Sequence, residues 1–167
     1  PRSMRRAATR WVRAVVLVGE GESFYAGLDF SMFATLGAGD VGDVGDNPDR
    51  GNPGAMTEGR ITHLGQQICW VWQELPMPVI AAVHGHALGG GFQIAMGADI
   101  RIAHPDTSWS VREVHWGLVP DMTGTQTLRH LVRLDVLKEL TYTGRIVEGR
   151  EAVQLGLVTR VSEDPRN

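Results

Sequence analysis

Short apolar runs alternate with segments of helical periodicity along the chain. Residues 12–18 and 78–83 are compact apolar runs, and each predicts a buried strand. Between them, residues 61–75 carry apolar side chains at helical spacing until Pro76 ends the pattern, which predicts a helix. The same criteria predict strands at 98–103, 108–111 and 157–161, and helices at 91–96, 123–133, 136–142 and 150–155. Strands that alternate with helices are typical of an α/β layered fold.

Composition narrows the class of protein. The 167 residues carry a net charge of −3 and no stripe of Lys and Arg, so nucleic acid is not an expected partner. A single cysteine, Cys69, excludes an internal disulfide framework and is typical of a reducing compartment. No apolar run approaches the roughly 20 residues of a membrane span, and no signal-peptide pattern opens the chain. We therefore expect a single domain over residues 1–167, cytoplasmic and without a membrane partner.

Residues 37–55 are rich in glycine and aspartate, with Pro48 and Pro53 among them. Such a segment buries little apolar surface, which predicts a flexible surface loop. Its aspartates lack the terminal glutamate of an EF-hand calcium loop. His84 and His86 are close together but have no third ligand nearby, so we expect no metal site.

Three consecutive glycines, Gly89, Gly90 and Gly91, lie between the strand predicted at 78–83 and the helix predicted at 91–96. Because glycine has no Cβ, a ligand can approach this backbone closely. The start of a helix also presents unpaired N–H groups and the positive end of the helix dipole, which suits a developing oxyanion. On this stretch alone, a turn that needs glycine only for tight packing stays an open alternative.

Five segments in order resemble signature segments of the crotonase (enoyl-CoA hydratase/isomerase) superfamily, over a match from about Val12 to Val161: 23–29 (SFYAGLD), 82–95 (AVHGHALGGGFQIA), 99–103 (DIRIA), 113–121 (EVHWGLVPD) and 143–158 (TGRIVEGREAVQLGLV). The resemblance implies an α/β, crotonase-like ββα spiral fold. Members of the family are typically longer at both ends, so we expect this chain to be truncated at both ends. The family assembles as homotrimers or dimers of trimers, which would apply to a full-length chain.

The same resemblance implies an acyl-CoA substrate, with the coenzyme A thioester as substrate and no other cofactor. Family members stabilise the thioester enolate with two backbone N–H donors, which by position are Leu28 and Gly90 here. Read without its context, Leu28 would be interpreted as a core leucine. The residues expected to contact the substrate or its CoA are Ala26, Gly27, Asp29, Gly89 and Gln93.

The candidate catalytic acids depart from the hydratase pattern. Hydratases of the family use two glutamates, and here the first position is Gln93, which cannot titrate, whereas Glu113 keeps the second. Asp121, eight residues beyond Glu113, gives a partial likeness to the dienoyl-CoA isomerases. Hydration needs groups that activate water and deliver a proton, but double-bond migration needs only removal and return of a proton. The pattern therefore favours isomerisation by Glu113 and Asp121 over hydration.

Interpretations that give these residues no catalytic role stay open at this point. Glu113 could form a surface ion pair with Arg112 or Arg101. Asp121 could cap the helix predicted from Thr123. The replacement of an acid by Gln93 also fits a catalytically inactive acyl-CoA-binding protein or subunit. His115 is a candidate for the lining of the same pocket. No Ser/His/Asp set can be assembled for a hydrolase.

Overall fold

The computed structural model of the protein describes residues 11–27, 56 and 58–167. Leu28, Asp29 and the loop predicted at 37–55 lie outside these residues. The described strands are β1 (Val15–Val18), β2 (Val79–Val83), β3 (His86–Leu88), β4 (Ile100–Ala103), β5 (Ser108–Ser110), β6 (Val147–Glu148) and β7 (Arg160–Val161). The described α-helices are α1 (Leu64–Trp70), α2 (Gly90–Met96), α3 (Gly124–Leu128), α4 (Leu134–Thr143) and α5 (Gly149–Leu155). Two 3₁₀ helices are Val71–Glu74 and Arg112–Trp116.

The larger sheet contains four parallel strands in the order β1-β2-β4-β7. Ile80 of β2 is in register with Val16 of β1 on one side and with Ile100 of β4 on the other. Parallel strands covered on both faces are expected to be almost continuously apolar. The sequence VIAAV of β2 fits this expectation, since all its residues except the half-buried Ile80 are fully buried.

The smaller sheet carries the elements that lead into the site. β3 is parallel to β5, and β5 is antiparallel to β6. Trp109 of β5 is fully buried and packs edge-to-face on Phe92 of α2, with ring centroids 6.2 Å apart. β3 runs directly into α2, and β5 runs directly into the 3₁₀ helix Arg112–Trp116. The packing between these elements therefore fixes the start of α2 relative to that 3₁₀ helix.

The α/β fold expected from the sequence is confirmed, but some element bounds differ. The helix predicted at 123–133 ends at Leu128, because the chain then tightens into turns in which His130 N–H donates to Thr127 O and Leu131 N–H donates to Leu128 O. The sequence predicts no strand at residues 86–88, where the structure has β3. It is a strand because it pairs with β5, a contact about twenty residues away in sequence. Within the part of the chain that is described, no helix has both the length and the apolar character of a membrane span.

Candidate active site

The glycine turn between β3 and α2 is tightly constrained. Gly89 adopts φ 53°, a conformation favourable to glycine, and its N–H donates to Ser110 O at 3.0 Å. A Cβ at Gly91 would lie 2.4 Å from Tyr25 O, so no larger residue fits there. Gly90 opens α2, and its N–H has no acceptor among the described residues. The turn therefore leaves the N–H of Gly90 without a partner among the described residues, and its role as an oxyanion donor stays a prediction.

The segment around Tyr25 is fastened to this turn. Tyr25 N–H donates to His86 O at 2.9 Å, and Leu88 N–H donates to Tyr25 O at 3.1 Å. Ala26 and Gly27 follow directly, and Gly27 adopts φ 116°, a backbone conformation that few other residues tolerate. Ala26 and Gly27, both predicted to contact substrate, therefore follow directly on the backbone that packs against the α2 turn. Leu28 and Asp29, the next predicted residues, are outside the described part of the chain.

Glu113 lies in the 3₁₀ helix Arg112–Trp116 and is only 9% exposed. Its Oε1 accepts a hydrogen bond from Gln93 Nε2 at 2.6 Å. Its Oε2 is buried and has no hydrogen-bond partner within the described residues. A Cβ at Gly89 would lie 3.5 Å from Glu113 Oε1, so the carboxyl group faces the glycine turn. A buried carboxyl with one unsatisfied oxygen is a candidate site for proton transfer.

Gln93 connects this carboxyl to the next helix. Its side chain is fully buried in α2, and its Oε1 accepts from the Gly124 N–H at 2.9 Å. Gly124 is the first residue of α3. The amide of Gln93 therefore bridges Glu113 and the start of α3.

Burial is the main cause that raises the pKa of Glu113 above the ordinary glutamate value. The hydrogen bonds from its own backbone and from Gln93 oppose this rise, and the negative charge of Asp121 adds to it. Burial, with the charges of Glu113 and Asp121, also raises the pKa of the Cys69 thiol to about 12. Cys69 is therefore an uncharged neighbour of the site, and Glu113 is suited to exchange a proton closer to neutral pH than an exposed carboxyl.

The ion pair considered for Glu113 is not formed. Arg112 donates to Gly144 O at 3.2 Å, and Arg101 donates to backbone carbonyls elsewhere in the core. His115 is exposed, and its Nε2 lies 3.2 Å from Gly144 O, so its place in the lining of the pocket stays a prediction.

Asp121 is not the cap of the following helix. The N-cap of α3 is Thr123, which has φ 71° and forms no side-chain capping bond. The capping interpretation of Asp121 is therefore wrong, because the chain turns sharply at Thr123 before α3 begins. Asp121 is exposed, and its charge acts on Glu113. Of the predicted site residues, the structure brings together Gly89, Gly90, Gln93 and Glu113, with Asp121 within electrostatic reach.

Two neighbours of the site were missed by sequence reasoning. Gly124 supplies the N–H that binds Gln93, and a Cβ at Gly90 would lie 3.4 Å from the sulfur of Met122. Nothing in their spacing marks them, because the segment from Met122 to Gly124 reaches the site through its packing against α2. Among the described residues, no three His, Cys, Asp or Glu side chains are arranged to hold a metal ion.

Comparison with known proteins gives a consistent picture. A family model described as enoyl-CoA hydratase/isomerase matches residues 3–165. The short-chain-enoyl-CoA hydratase of Clostridium acetobutylicum is 38% identical over 154 residues, which are 91% of this chain and 52% of that protein. The chain thus spans about half the length of the curated relatives it matches.

Solved structures agree with this. The enoyl-CoA hydratase structure from Mycobacterium tuberculosis H37Rv has a TM-score of 0.67 and 33% identity, covering 92% of this chain and 52% of that one. A structure from Thermobifida fusca YX in complex with CoA has a TM-score of 0.69 and 33% identity, covering 92% of this chain and 56% of that one.

Proposed function

The chain belongs to the enoyl-CoA hydratase/isomerase family, and from this premise we propose that it acts on the thioester of an acyl-CoA and moves a proton with Glu113. The observation that carries the proposal is the buried carboxyl of Glu113, whose Oε2 has no partner among the described residues and which faces the glycine turn. The relative from Clostridium acetobutylicum is named as a short-chain-enoyl-CoA hydratase, and the structure from Thermobifida fusca contains CoA. Both support an acyl-CoA as substrate.

In the proposed reaction, the N–H of Gly90 and the N–H of Leu28 bind the thioester oxygen as it becomes an enolate. A backbone donor is held rigidly, and one such donor contributes about 3 kcal/mol in comparable oxyanion holes. The proposal for Gly90 is supported by its N–H at the start of α2. The proposal for Leu28 is supported by the sequence resemblance. Further contacts with the thioester or with CoA are proposed for Ala26, Gly27, Asp29, Gly89 and Gln93.

We favour migration of the double bond over hydration. Glu113 as a carboxylate removes a proton from the carbon next to the thioester carbonyl of a 3-enoyl chain, and the electron pair moves into the carbonyl oxygen. The electrons then return from the enolate, and the proton is added two carbons further along, so that a 2-enoyl thioester leaves. Gln93 supports this preference, because its amide cannot serve as the second acid or base that hydration uses. Asp121 is proposed as a second proton carrier because its position resembles that of the second acid of the dienoyl-CoA isomerases, and its negative charge also raises the pKa of Glu113.

A second candidate function is acyl-CoA binding without turnover. The amide of Gln93, which binds Glu113 directly, favours it, because the pair lacks one of the two acids of a hydratase.

An ultraviolet assay with 2-enoyl-, 3-enoyl- and 3,5-dienoyl-CoA distinguishes these reactions, since each changes the conjugation of the thioester. We expect the purified chain to convert 3-enoyl-CoA to 2-enoyl-CoA and to hydrate 2-enoyl-CoA slowly. Hydration faster than isomerisation would contradict the proposed preference. Binding of CoA thioesters without any turnover would support the second function instead.

A further inference from the structure

The carboxamide of Gln93 is held from two sides. Gly124 N–H donates to its Oε1 at 2.9 Å, and its Nε2 donates to Glu113 Oε1 at 2.6 Å. The side chain is fully buried, so no exchange with solvent competes with these bonds. Its backbone N–H donates to Gly89 O at 3.1 Å, which anchors the residue in the first turn of α2.

Only one orientation of this amide satisfies both neighbours. A backbone N–H can only donate, so the atom that faces Gly124 must be the amide oxygen. The NH₂ group must then face Glu113, where it meets an oxygen that can accept. A flipped amide would bring two donors together at Gly124 and would leave two oxygens in contact at Glu113. The start of α3 therefore fixes which group of Gln93 is presented to Glu113.

We infer that Gln93, oriented by the Gly124 N–H, is a positioning residue that occupies Oε1 of Glu113 and leaves Oε2 as the oxygen that takes and returns the proton. This inference rests on the proposed function, and it gives Gln93 a role that an ionised acid at this position could not fill. A glutamate here would meet Gly124 with one oxygen and Glu113 with the other, and would supply no donor unless it were protonated.

The surroundings of Glu113 make its ionisation depend strongly on this donor. Asp121, which lies outside the 3₁₀ helix of Glu113, adds a negative charge near the carboxyl group. The Cys69 thiol, also outside that helix, stays uncharged and adds none. Gln93 is the side-chain donor that favours the carboxylate form against burial and against Asp121. Removal of this donor should therefore make Glu113 harder to ionise.

The Gly124 side of the arrangement can be tested separately. A Cβ at Gly124 would lie 2.7 Å from Gln93 Oε1, closer than such atoms approach. The amide cannot retreat toward Glu113, from which it is already only 2.6 Å away. Gly124→Ala should therefore displace the amide while Gln93 itself is retained.

The experiment is a carbon-detected NMR titration of glutamate side-chain carboxyls in the ligand-free protein, with Glu113 assigned from Glu113→Gln. We expect Gln93→Leu and Gly124→Ala both to move the Glu113 midpoint to higher pH. Gln67→Leu is the matched control, since Gln67 also donates to a carboxylate, that of Glu74 at 2.9 Å. It should leave the Glu113 midpoint unchanged. An unchanged or lowered midpoint in Gln93→Leu, or an equal shift in the control, would overturn the inference.

Kinetics add a second readout. A hydrogen bond to a charged group stabilises the charged form by a factor of about ten. At a pH below the Glu113 midpoint, Gln93→Leu should therefore reduce the ionised fraction of Glu113, and with it kcat, about tenfold. The loss in kcat should disappear at high pH, where Glu113 is ionised without this donor, whereas a change in KM from the proposed contact of Gln93 with the substrate should not depend on pH. A pH-independent loss would indicate a merely structural role and would contradict the inference. Absence of turnover in the wild type would refute the proposed function, while the titration would still decide the inference.

Discussion

Two buried charged side chains of this protein show opposite arrangements. Arg101 in β4 is 4% exposed, and its guanidinium donates to the backbone carbonyls of Leu157 and Ala98. Glu113 is 9% exposed, yet only one of its oxygens accepts a side-chain hydrogen bond, from Gln93. Burial of a polar group is costly unless it is hydrogen-bonded. Arg101 uses its donors to join β4 to the chain before β7, whereas Glu113 keeps one buried oxygen without a hydrogen-bond partner among the described residues.

The difference separates a structural charge from a candidate catalytic one. A buried charge whose hydrogen bonds all go to the protein's own backbone stabilises the fold and leaves no atom for chemistry. A buried carboxylate with an unpaired oxygen is destabilised by its incomplete hydrogen bonding, and a proton taken from a substrate would remove this cost.

The largest expected effect is on turnover in Glu113→Gln. The amide keeps the shape of the side chain but cannot carry a proton, so kcat for isomerisation should fall about 10³-fold. An ultraviolet assay at saturating 3-enoyl-CoA measures this. A loss smaller than about tenfold would remove Glu113 from the role of base.

The same variant should not be less stable at neutral pH. The folded protein holds Glu113 with a raised pKa, so ionisation of the buried group costs stability as pH rises above the ordinary value of 4.5. Below that value the carboxyl is protonated in both states and the cost is absent. The free energy of unfolding of Glu113→Gln relative to wild type should therefore increase with pH across this window and then level off. Urea titrations at several pH values measure it.

Arg101→Met should have the opposite pattern of effects to Glu113→Gln, a loss of stability without a loss of turnover. The substitution leaves two buried carbonyls without a donor, each worth about 1–3 kcal/mol, so the free energy of unfolding should fall by about 3 kcal/mol. Turnover per folded molecule should be nearly unchanged. Arg160→Met, an exposed position in β7 of the same sheet, is the control and should change stability little. A selective loss of turnover in Arg101→Met would break the proposed contrast.

Gln93→Glu should change the reaction preference. The new carboxyl would lie against Glu113, so the two would share a proton rather than ionise together. With a second titratable group present, the ratio of hydration to isomerisation should rise about tenfold. Gln93→Leu, which adds no acid, should not raise it. An unchanged ratio in Gln93→Glu would argue that the amide does not determine the preference.

Asp121→Asn should produce the smallest effect. Removal of its negative charge should lower the pKa of Glu113, so the acidic limb of the pH–rate profile should move to lower pH. As the proposed second proton carrier, Asp121 should also contribute about tenfold to kcat for dienoyl-CoA. Asp106→Asn is the control, since Asp106 is 90% exposed and in another loop. A shift of the limb with no loss of kcat would leave Asp121 as an electrostatic neighbour only.

Local patterns carried much of the fold prediction. The apolar run before Gly89 predicted β2, and the glycine-rich segment that follows predicted the start of α2, because both depend on neighbouring residues. β3 was missed, since a three-residue strand is stabilised by its pairing with β5 and not by its own composition. The length of the helix after Thr123 was overestimated for a similar reason, because packing of the turns beyond Leu128 prevailed over helical periodicity.

The family, the glycine turn and the chemical types at the site, an amide at Gln93 and a carboxyl at Glu113, can be read from the order of residues. The burial of Glu113, the pairing of its Oε1 but not of its Oε2, and the orientation of Gln93 by Gly124 arise only when the chain is packed. The physical reason is the separation along the sequence over which the interactions act. Turn and helix signals act between neighbours, whereas the bonds of Gln93 join residues 20 and 31 positions away. Desolvation and hydrogen-bond partnership at such distances are properties of the packed chain.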